Sequence, residues 1–257
     1  MCRHLAWIGR PRTLASLVPD PPHGLLAQSY APREQRHGRV NADGFGVGWY
    51  APGMRREPAR YRRGQPIWTD ASFASFAGVV SSSVVLAAVR SATPPFPSDE
   101  AGAAPFTAGP WLFSHNGRVD DFARAALELR SRLPAAAAAG VEGPSDAALL
   151  WAMFRHRLES GQALPSALTA VVADAVRAGG GRLNLLATDG QTVAATTYGD
   201  TLFTRRDTDG VLVASEPSDD LPGWERVPDR CLGVVPAPSL DVSPLPAHLT
   251  TPTGDRT

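Results

Sequence analysis

The chain has 257 residues, 43% of them hydrophobic and 19% charged, and its 25 Lys and Arg balance its 25 Asp and Glu. This length fits one large domain or two small ones and allows a substantial core. A formal charge of zero argues against an extended nucleic-acid-binding face and against attachment to an anionic membrane. No apolar run has the ~18 residues of a membrane span. The N-terminal sequence lacks the pattern of a secretory signal, so a cytoplasmic protein is expected.

Four segments in the first 120 residues are predicted to be β-strands. They read CRHLAWIG (2–9), GFGVGWYA (44–51), SSVVLAAVRSAT (82–93) and WLFSHNGRV (111–119). The third is continuously apolar and rich in β-branched residues, which is typical of a central strand covered on both faces. The arginine-rich stretch at 59–68 could form an anion site, but Lys and Arg commonly protect sheet edges, and we interpret it as a solvated edge.

Helical spacing then follows at 119–133, 144–161 and 164–180, with an alanine-rich loop or frayed segment at 134–140. Beyond residue 180 the period changes to two, and Asp-Gly pairs at 189–190 and 209–210 predict hairpins. The Pro-rich tail from about 236 is expected to be irregular. Strands, helices and strands in this order predict one α+β domain over residues 1–257, with sheets packed on each other and covered by helices.

Cys2 is the first candidate for chemistry. If Met1 is removed, the chain starts with a cysteine whose α-amine has a reference pKa of ~7.7–8.0 and is partly neutral at physiological pH. Such an amine can accept the thiol proton, which makes an N-terminal cysteine both nucleophile and base. Read alone, a cysteine at this position is more often a small buried hydrophobe than a nucleophile.

Two further groups suit acyl transfer to a thiol. The side-chain amide of Asn116 and the backbone N–H of Gly117 could stabilise an oxyanion, although Asn-Gly is also an ordinary turn dipeptide. Arg90 could bind a carboxylate. Asp146 could bind an ammonium group. The alternatives are a solvated charge at the end of a strand for Arg90 and a helix N-terminal acid for Asp146.

Five motifs in this order resemble the class II glutamine amidotransferases. They are the N-terminal Cys, Asp-Gly-x-Gly in NADGFGVGWY, Arg-x-x-Thr in VRSAT, His-Asn-Gly in SHNG, and Ser-Asp before a helix. The resemblance implies a four-layer αββα sandwich of the N-terminal-nucleophile hydrolase type. It implies that Cys2 is the nucleophile and that Asn116 and Gly117 form the oxyanion hole. The glutamyl group would be held by Arg90, Thr93 and Asp146.

A stand-alone branch of that family, the amidohydrolases of ergothioneine biosynthesis, is a closer match. The similarity rests on MCRHLAWIG, PPHGLLAQSYAP, NADGFGVGWY, AAVRSAT, APFTAGPWLFSHNG and ASEP. It implies a small-molecule γ-glutamyl substrate, γ-glutamyl-hercynylcysteine sulfoxide, and hydrolysis without metal, ATP or another cofactor.

The remaining candidates keep alternatives open. His4 lies two residues from Cys2 and therefore on the same strand face, where it either contacts the substrate or is a structural histidine. His115 is expected to point away from the site by strand alternation. Glu216 either approaches the N-terminus or closes a turn, and Cys231 is read as buried and inert.

Two other functions compete with a γ-glutamyl amidohydrolase. One is a glutaminase subunit that supplies ammonia to a separate synthase, and the other is a non-catalytic γ-glutamyl-binding module. A homo-oligomer is compatible with each of them.

Overall fold

The computed structural model describes residues 2–92, 99–236 and 241–250. Two antiparallel sheets form its centre. Sheet A has seven strands in the order β11-β9-β10-β1-β4-β2-β3, and sheet B has six in the order β13-β12-β8-β7-β6-β5. The strands are β1 Arg3–Thr13, β2 Phe45–Trp49, β3 Ala59–Arg63, β4 Ser81–Val89, β5 Phe106–Ala108, β6 Trp111–Val119, β7 Gly181–Thr188, β8 Thr192–Thr197, β9 Phe203–Arg206, β10 Gly210–Ala214, β11 Trp224–Arg226, β12 Cys231–Pro236 and β13 Asp241–Pro244.

Eight helices cover the sheets. They are α1 Leu14–Leu17, α2 Leu25–Gln28, α3 Ala71–Ala77, α4 Phe122–Ser131, α5 Ala135–Ala139, α6 Asp146–Glu159, α7 Leu164–Ala178 and α8 Ala247–Thr250 among the described residues, with a 3₁₀ turn at Ile67–Thr69. The longest, α6 and α7, pack on sheet B together with α4. The short helices α1 to α3 lie on the far side of sheet A.

Alternation along β1 shows how the layers arise. Leu5 and Trp7 belong to the apolar cluster beneath α1 to α3, whereas Ala6 and Ile8 belong to the cluster between the two sheets. Successive side chains of a strand point to opposite faces, so a strand that is apolar at every position must be covered on both. The layer order is therefore helix, sheet, sheet, helix, and the predicted four-layer αββα sandwich is confirmed.

Most predicted elements are present. The strands expected near 2–9, 44–51, 82–93 and 111–119 are β1, β2, β4 and β6. Both Asp-Gly pairs lie at hairpin turns, between β7 and β8 and between β9 and β10. Two expectations need correction. The alanine-rich segment includes a short helix, α5, and the described part of the tail contains β13, which pairs with β12, and α8.

Across the described ranges, none of the helices has the length and apolar character that a membrane crossing requires.

Candidate active site

A small cavity, partly open to solvent, lies at one end of the two sheets. The start of β1, the end of β4, the start of α6 and the 99–105 loop surround it. Its lining comprises Cys2, Ala88, Val89, Arg90, Ser91, Ala92, Gly102, Ala104, Phe106, His115, Gly117, Ser145, Asp146 and Ala147. Four predicted site residues, Cys2, Arg90, Gly117 and Asp146, therefore share one cavity.

Cys2 immediately precedes the central strand of sheet A. β1 pairs with β4 on one side and with β10 on the other, so the start of the chain is fixed by two ladders. The backbone nitrogen of Cys2 donates to Asn116 Oδ1 on sheet B at 3.2 Å. This contact joins the nucleophile candidate on one sheet to the oxyanion candidate on the other.

Asn116 is completely buried and does not line the cavity itself. Its amide nitrogen donates to Ser215 Oγ at 3.4 Å, and Ser215 Oγ also accepts the N–H of His4 at 3.0 Å. An amide nitrogen carries two hydrogens, so one donor of Asn116 remains beyond the bond to Ser215. Sequence reasoning missed Ser215, whose place beside Asn116 depends on the pairing of β10 with β1.

Arg90 follows β4 directly and is almost fully buried against the 99–105 loop. Its Nη1 donates to the carbonyl oxygens of Asp43 and Asp99 at 3.4 Å each. Asp43 in turn accepts the N–H of Ala92 through Oδ2 at 2.8 Å, which fixes the backbone after the strand. The Asp-Gly-x-Gly motif thus positions the arginine. Thr93, the third residue expected to hold the glutamyl group, lies outside the described residues.

Asp146 is the first residue of α6, after the N-cap Ser145. Its Oδ2 accepts the N–H of Val119 at 2.9 Å and its Oδ1 accepts the N–H of Ala147 at 2.8 Å. The carboxylate is therefore tied to β6 as well as to its own helix, and it presents a negative charge to the cavity.

His4 is on the same face of β1 as Cys2, but it is completely buried and does not line the cavity. Its Nδ1 bonds Ser114 Oγ at 3.1 Å, and burial lowers its pKa to about 3, with smaller contributions from Arg3 and His115. Because Nδ1 is held by Ser114 and Nε2 is buried without a partner among the described residues, the geometry supports a positioning role for a neutral His4, and its contact with a substrate stays a prediction.

The expectation for His115 was wrong. His115 lies on the opposite face of β6 from Asn116, as alternation requires, yet it lines the cavity. Gly117 shares that face of β6 and also lines the cavity, because the start of α6, with Asp146, lies against the same face.

Glu216 lies away from the cavity. Its carboxylate accepts the N–H groups of Arg33 and Glu34 at 2.9 and 2.8 Å and lies 4.0 Å from Arg3. It anchors the loop after α2. The arginines of β3 are also structural, since Arg60 and Arg62 donate to carbonyls of the 99–105 loop. Within the described ranges no cluster of three His, Cys, Asp or Glu could hold a metal ion.

Solved structures define the class of this fold. A glutamine aminotransferase class-II domain protein from Silicibacter pomeroyi superposes with a TM-score of 0.66 at 23% identity, over 95% of this chain and all of that one. Glutamine phosphoribosylpyrophosphate amidotransferase from B. subtilis gives 0.69 at 14% identity, over 97% of this chain and 50% of that one. The fold is that of the N-terminal-nucleophile glutamine amidotransferases.

Proteins with similar sequences identify the family within this fold class. The γ-glutamyl-hercynylcysteine sulfoxide hydrolase of Mycolicibacterium smegmatis is 48% identical over 248 residues, which are 95% of this chain and all of the relative. The protein of the same name from Mycobacterium tuberculosis is 48% identical over 233 residues, 90% of this chain and 91% of the relative. No protein-family model matches the chain. The chain belongs to the γ-glutamyl-hercynylcysteine sulfoxide hydrolase family.

Proposed function

We propose that this protein hydrolyses the γ-glutamyl amide bond of γ-glutamyl-hercynylcysteine sulfoxide and releases glutamate and hercynylcysteine sulfoxide. The observation that carries the proposal is the cavity in which Cys2 faces Arg90 and Asp146, in a chain 48% identical to hydrolases of that name. A γ-glutamyl group ends in an α-carboxylate and an α-ammonium, and the cavity offers one cation and one anion to match them.

In the proposed mechanism Cys2 is the nucleophile after Met1 has been removed. The α-amine accepts the thiol proton as sulfur attacks the γ-carbonyl, and the oxyanion is stabilised by the free amide donor of Asn116 and the N–H of Gly117. The amine then gives the proton to the departing amide nitrogen. Water attacks the resulting thioester, one proton returns to sulfur, and glutamate leaves.

The contact between the nitrogen of Cys2 and Asn116 Oδ1 supports the role of the α-amine. In the processed chain that same nitrogen is the amine, and a hydrogen bond to the amide oxygen orients its lone pair. Asn116 would then act twice, holding the base through its oxygen and the oxyanion through its nitrogen.

The test is glutamate release from γ-glutamyl-hercynylcysteine sulfoxide and from glutamine, with Met1 removal verified by mass. We expect rapid release from the first substrate, little from glutamine, and none above background with Cys2→Ala. A preference for glutamine would instead indicate an ammonia-supplying subunit. Binding of γ-glutamyl compounds without cleavage would indicate a non-catalytic module, and either result would overturn the proposal.

A further inference from the structure

His115 is an imidazole at the cavity that the mechanism above does not use. It is 4% exposed and lines the cavity beside Gly117 and Asp146. A buried polar ring is expected to have its hydrogen-bonding atoms satisfied, and an exception requires an explanation.

One ring nitrogen of His115 is committed to the sheet. Nε2 lies 3.1 Å from the carbonyl oxygen of Arg182 on β7. A carbonyl can only accept, so Nε2 carries the hydrogen, and in the neutral ring Nδ1 holds the lone pair. Nδ1 has no hydrogen-bond partner in the part of the chain that the structure describes. His4 Nε2 also lacks a partner, but it is closed off from solvent, whereas His115 Nδ1 is not. An acceptor with a fixed tautomer therefore remains available at the cavity.

Gly117 lies beside the ring of His115, next to the nitrogen that is bonded to the sheet. His115, Gly117 and Val119 share one face of β6, and a Cβ at position 117 would lie 2.9 Å from His115 Nε2 and 1.9 Å from the Arg182 carbonyl oxygen. Asp146 binds the N–H of Val119 on the other side of the glycine. Two acceptors, the carboxylate and the imidazole, thus flank a position where no side chain fits.

We propose that His115 Nδ1 accepts a hydrogen bond from the α-ammonium of the γ-glutamyl group, beside the Asp146 carboxylate. The inference rests on the proposed function and extends it to specificity. An ammonium group has three donors, and each oxygen of Asp146 already accepts one backbone N–H. A second acceptor lets the site require a free α-amine, and γ-linked amides that lack this amine are then poor substrates.

The experiment compares two substitutions of His115, each of which replaces the hydrogen bonding of one ring nitrogen and removes that of the other. The amide of His115→Gln lies near the former Nε2 and can still donate to Arg182, but nothing replaces Nδ1. The amide of His115→Asn lies near the former Nδ1 and keeps an acceptor there, but loses the bond to the strand. Each variant is assayed with the γ-glutamyl substrate and with its glutaryl analogue, which lacks only the α-amine, and the readout is the ratio of the two kcat/KM values.

We expect His115→Gln to lower that ratio by about 10-fold or more, as loss of a hydrogen bond to a charged group predicts. His115→Asn should keep most of the ratio while unfolding at a lower temperature. An unchanged ratio in His115→Gln, or an equal fall in both variants, would show that the ring is only structural. Absence of glutamate release by the wild-type protein would instead defeat the proposed function, and this inference with it.

Discussion

The guanidinium of Arg90 occupies the space in which a side chain at Gly102 would begin. A Cβ built on Gly102 would lie 2.5 Å from Arg90 Cζ and Nη2. The glycine is therefore needed for the position of the arginine head group, although nothing in its sequence context indicates a role in the site.

Gly102→Ala should displace Arg90 without unfolding the protein. The colliding atoms are the end of a flexible side chain, so the arginine moves and the backbone does not have to. We expect KM for the γ-glutamyl substrate to rise about 10-fold or more, since the proposed charge-assisted bond between Arg90 and the α-carboxylate would be weakened. Steady-state kinetics measure the rise in KM, and a thermal melt tests whether the stability of the fold is unchanged. Gly143→Ala is the matched control, because a Cβ there meets no atom within 4 Å. It should leave KM and the melting temperature unchanged.

If Asp146 binds the α-ammonium as proposed, Asp146→Asn should weaken substrate binding by removing the negative charge. We expect KM to rise about 10-fold or more, with a smaller loss of stability because an amide oxygen still accepts one of the two backbone N–H groups. Asp121→Asn serves as the control, since Asp121 is exposed and has a left-handed backbone that asparagine tolerates. Equal KM values for Asp146→Asn and the wild type would remove Asp146 from the substrate site.

Alkylation should distinguish the two thiols. Cys2 is partly accessible at the cavity, whereas Cys231 is buried and burial raises the pKa of its thiol. Because the thiolate is the reactive form, iodoacetamide should modify Cys2 first and abolish hydrolysis. Peptide mass spectrometry locates the label. Cys231→Ala should be inactivated at the wild-type rate, and a slower loss in that variant would assign the sensitive thiol to Cys231.

His4 should make stability depend on pH. Its folded pKa of about 3 lies below the ordinary value of 6.5, so between these values the unfolded chain binds the proton and the folded protein does not. The neutral imidazole therefore makes its full contribution to the free energy of unfolding above pH 6.5. That contribution declines as the pH falls towards 3, by up to about 1.4 kcal/mol per pH unit. Urea unfolding at pH 7 and pH 5 measures it.

His4→Asn should reduce that dependence on pH, because asparagine has no proton to gain and can still reach Ser114. The exposed His248→Asn should keep the wild-type slope. If the slope of His4→Asn equals that of the wild type, another group is responsible for the acid sensitivity.

Glu216→Ala should destabilise the fold strongly. It removes the acceptor of two backbone N–H groups and the carboxylate nearest to Arg3, which is completely buried. Burial lowers the pKa of the Arg3 guanidinium, and Glu216 is the largest opposing contribution. Because loss of one partner leaves a buried charge uncompensated, we expect a loss of ~3 kcal/mol or more. Chemical denaturation measures it. The exposed Glu225→Ala should stay within about 0.5 kcal/mol of the wild type.

What the sequence predicts well is what short-range patterns encode. The continuous apolar runs of β4 and β6, the Asp-Gly hairpins and the Ser-Asp start of α6 depend on neighbouring residues, and all are present. Through the resemblance to class II glutamine amidotransferases, the five motifs also predict the sandwich and a shared site for Cys2, Arg90 and Asp146.

What the sequence does not predict depends on pairings between distant segments. β5 has three residues, too few for a periodic signal. The position of His115 at the cavity depends on the start of α6 lying against β6, where Asp146 binds the N–H of Val119. The role of Gly102 depends on a loop folding back over Arg90, and that of Ser215 on a strand pair some 210 positions apart along the chain. Contacts of this kind cannot be predicted from the local sequence.

The central position of β1 has a consequence for the timing of synthesis. The strand is closed on one side by β4 and on the other by β10, which ends at Ala214. On the ribosome, β1 cannot pair with β10 until most of the chain has been translated. Long-range pairing of this kind is slow. During that interval an aminopeptidase can act on the bond between Met1 and Cys2 before Cys2 takes its place at the cavity.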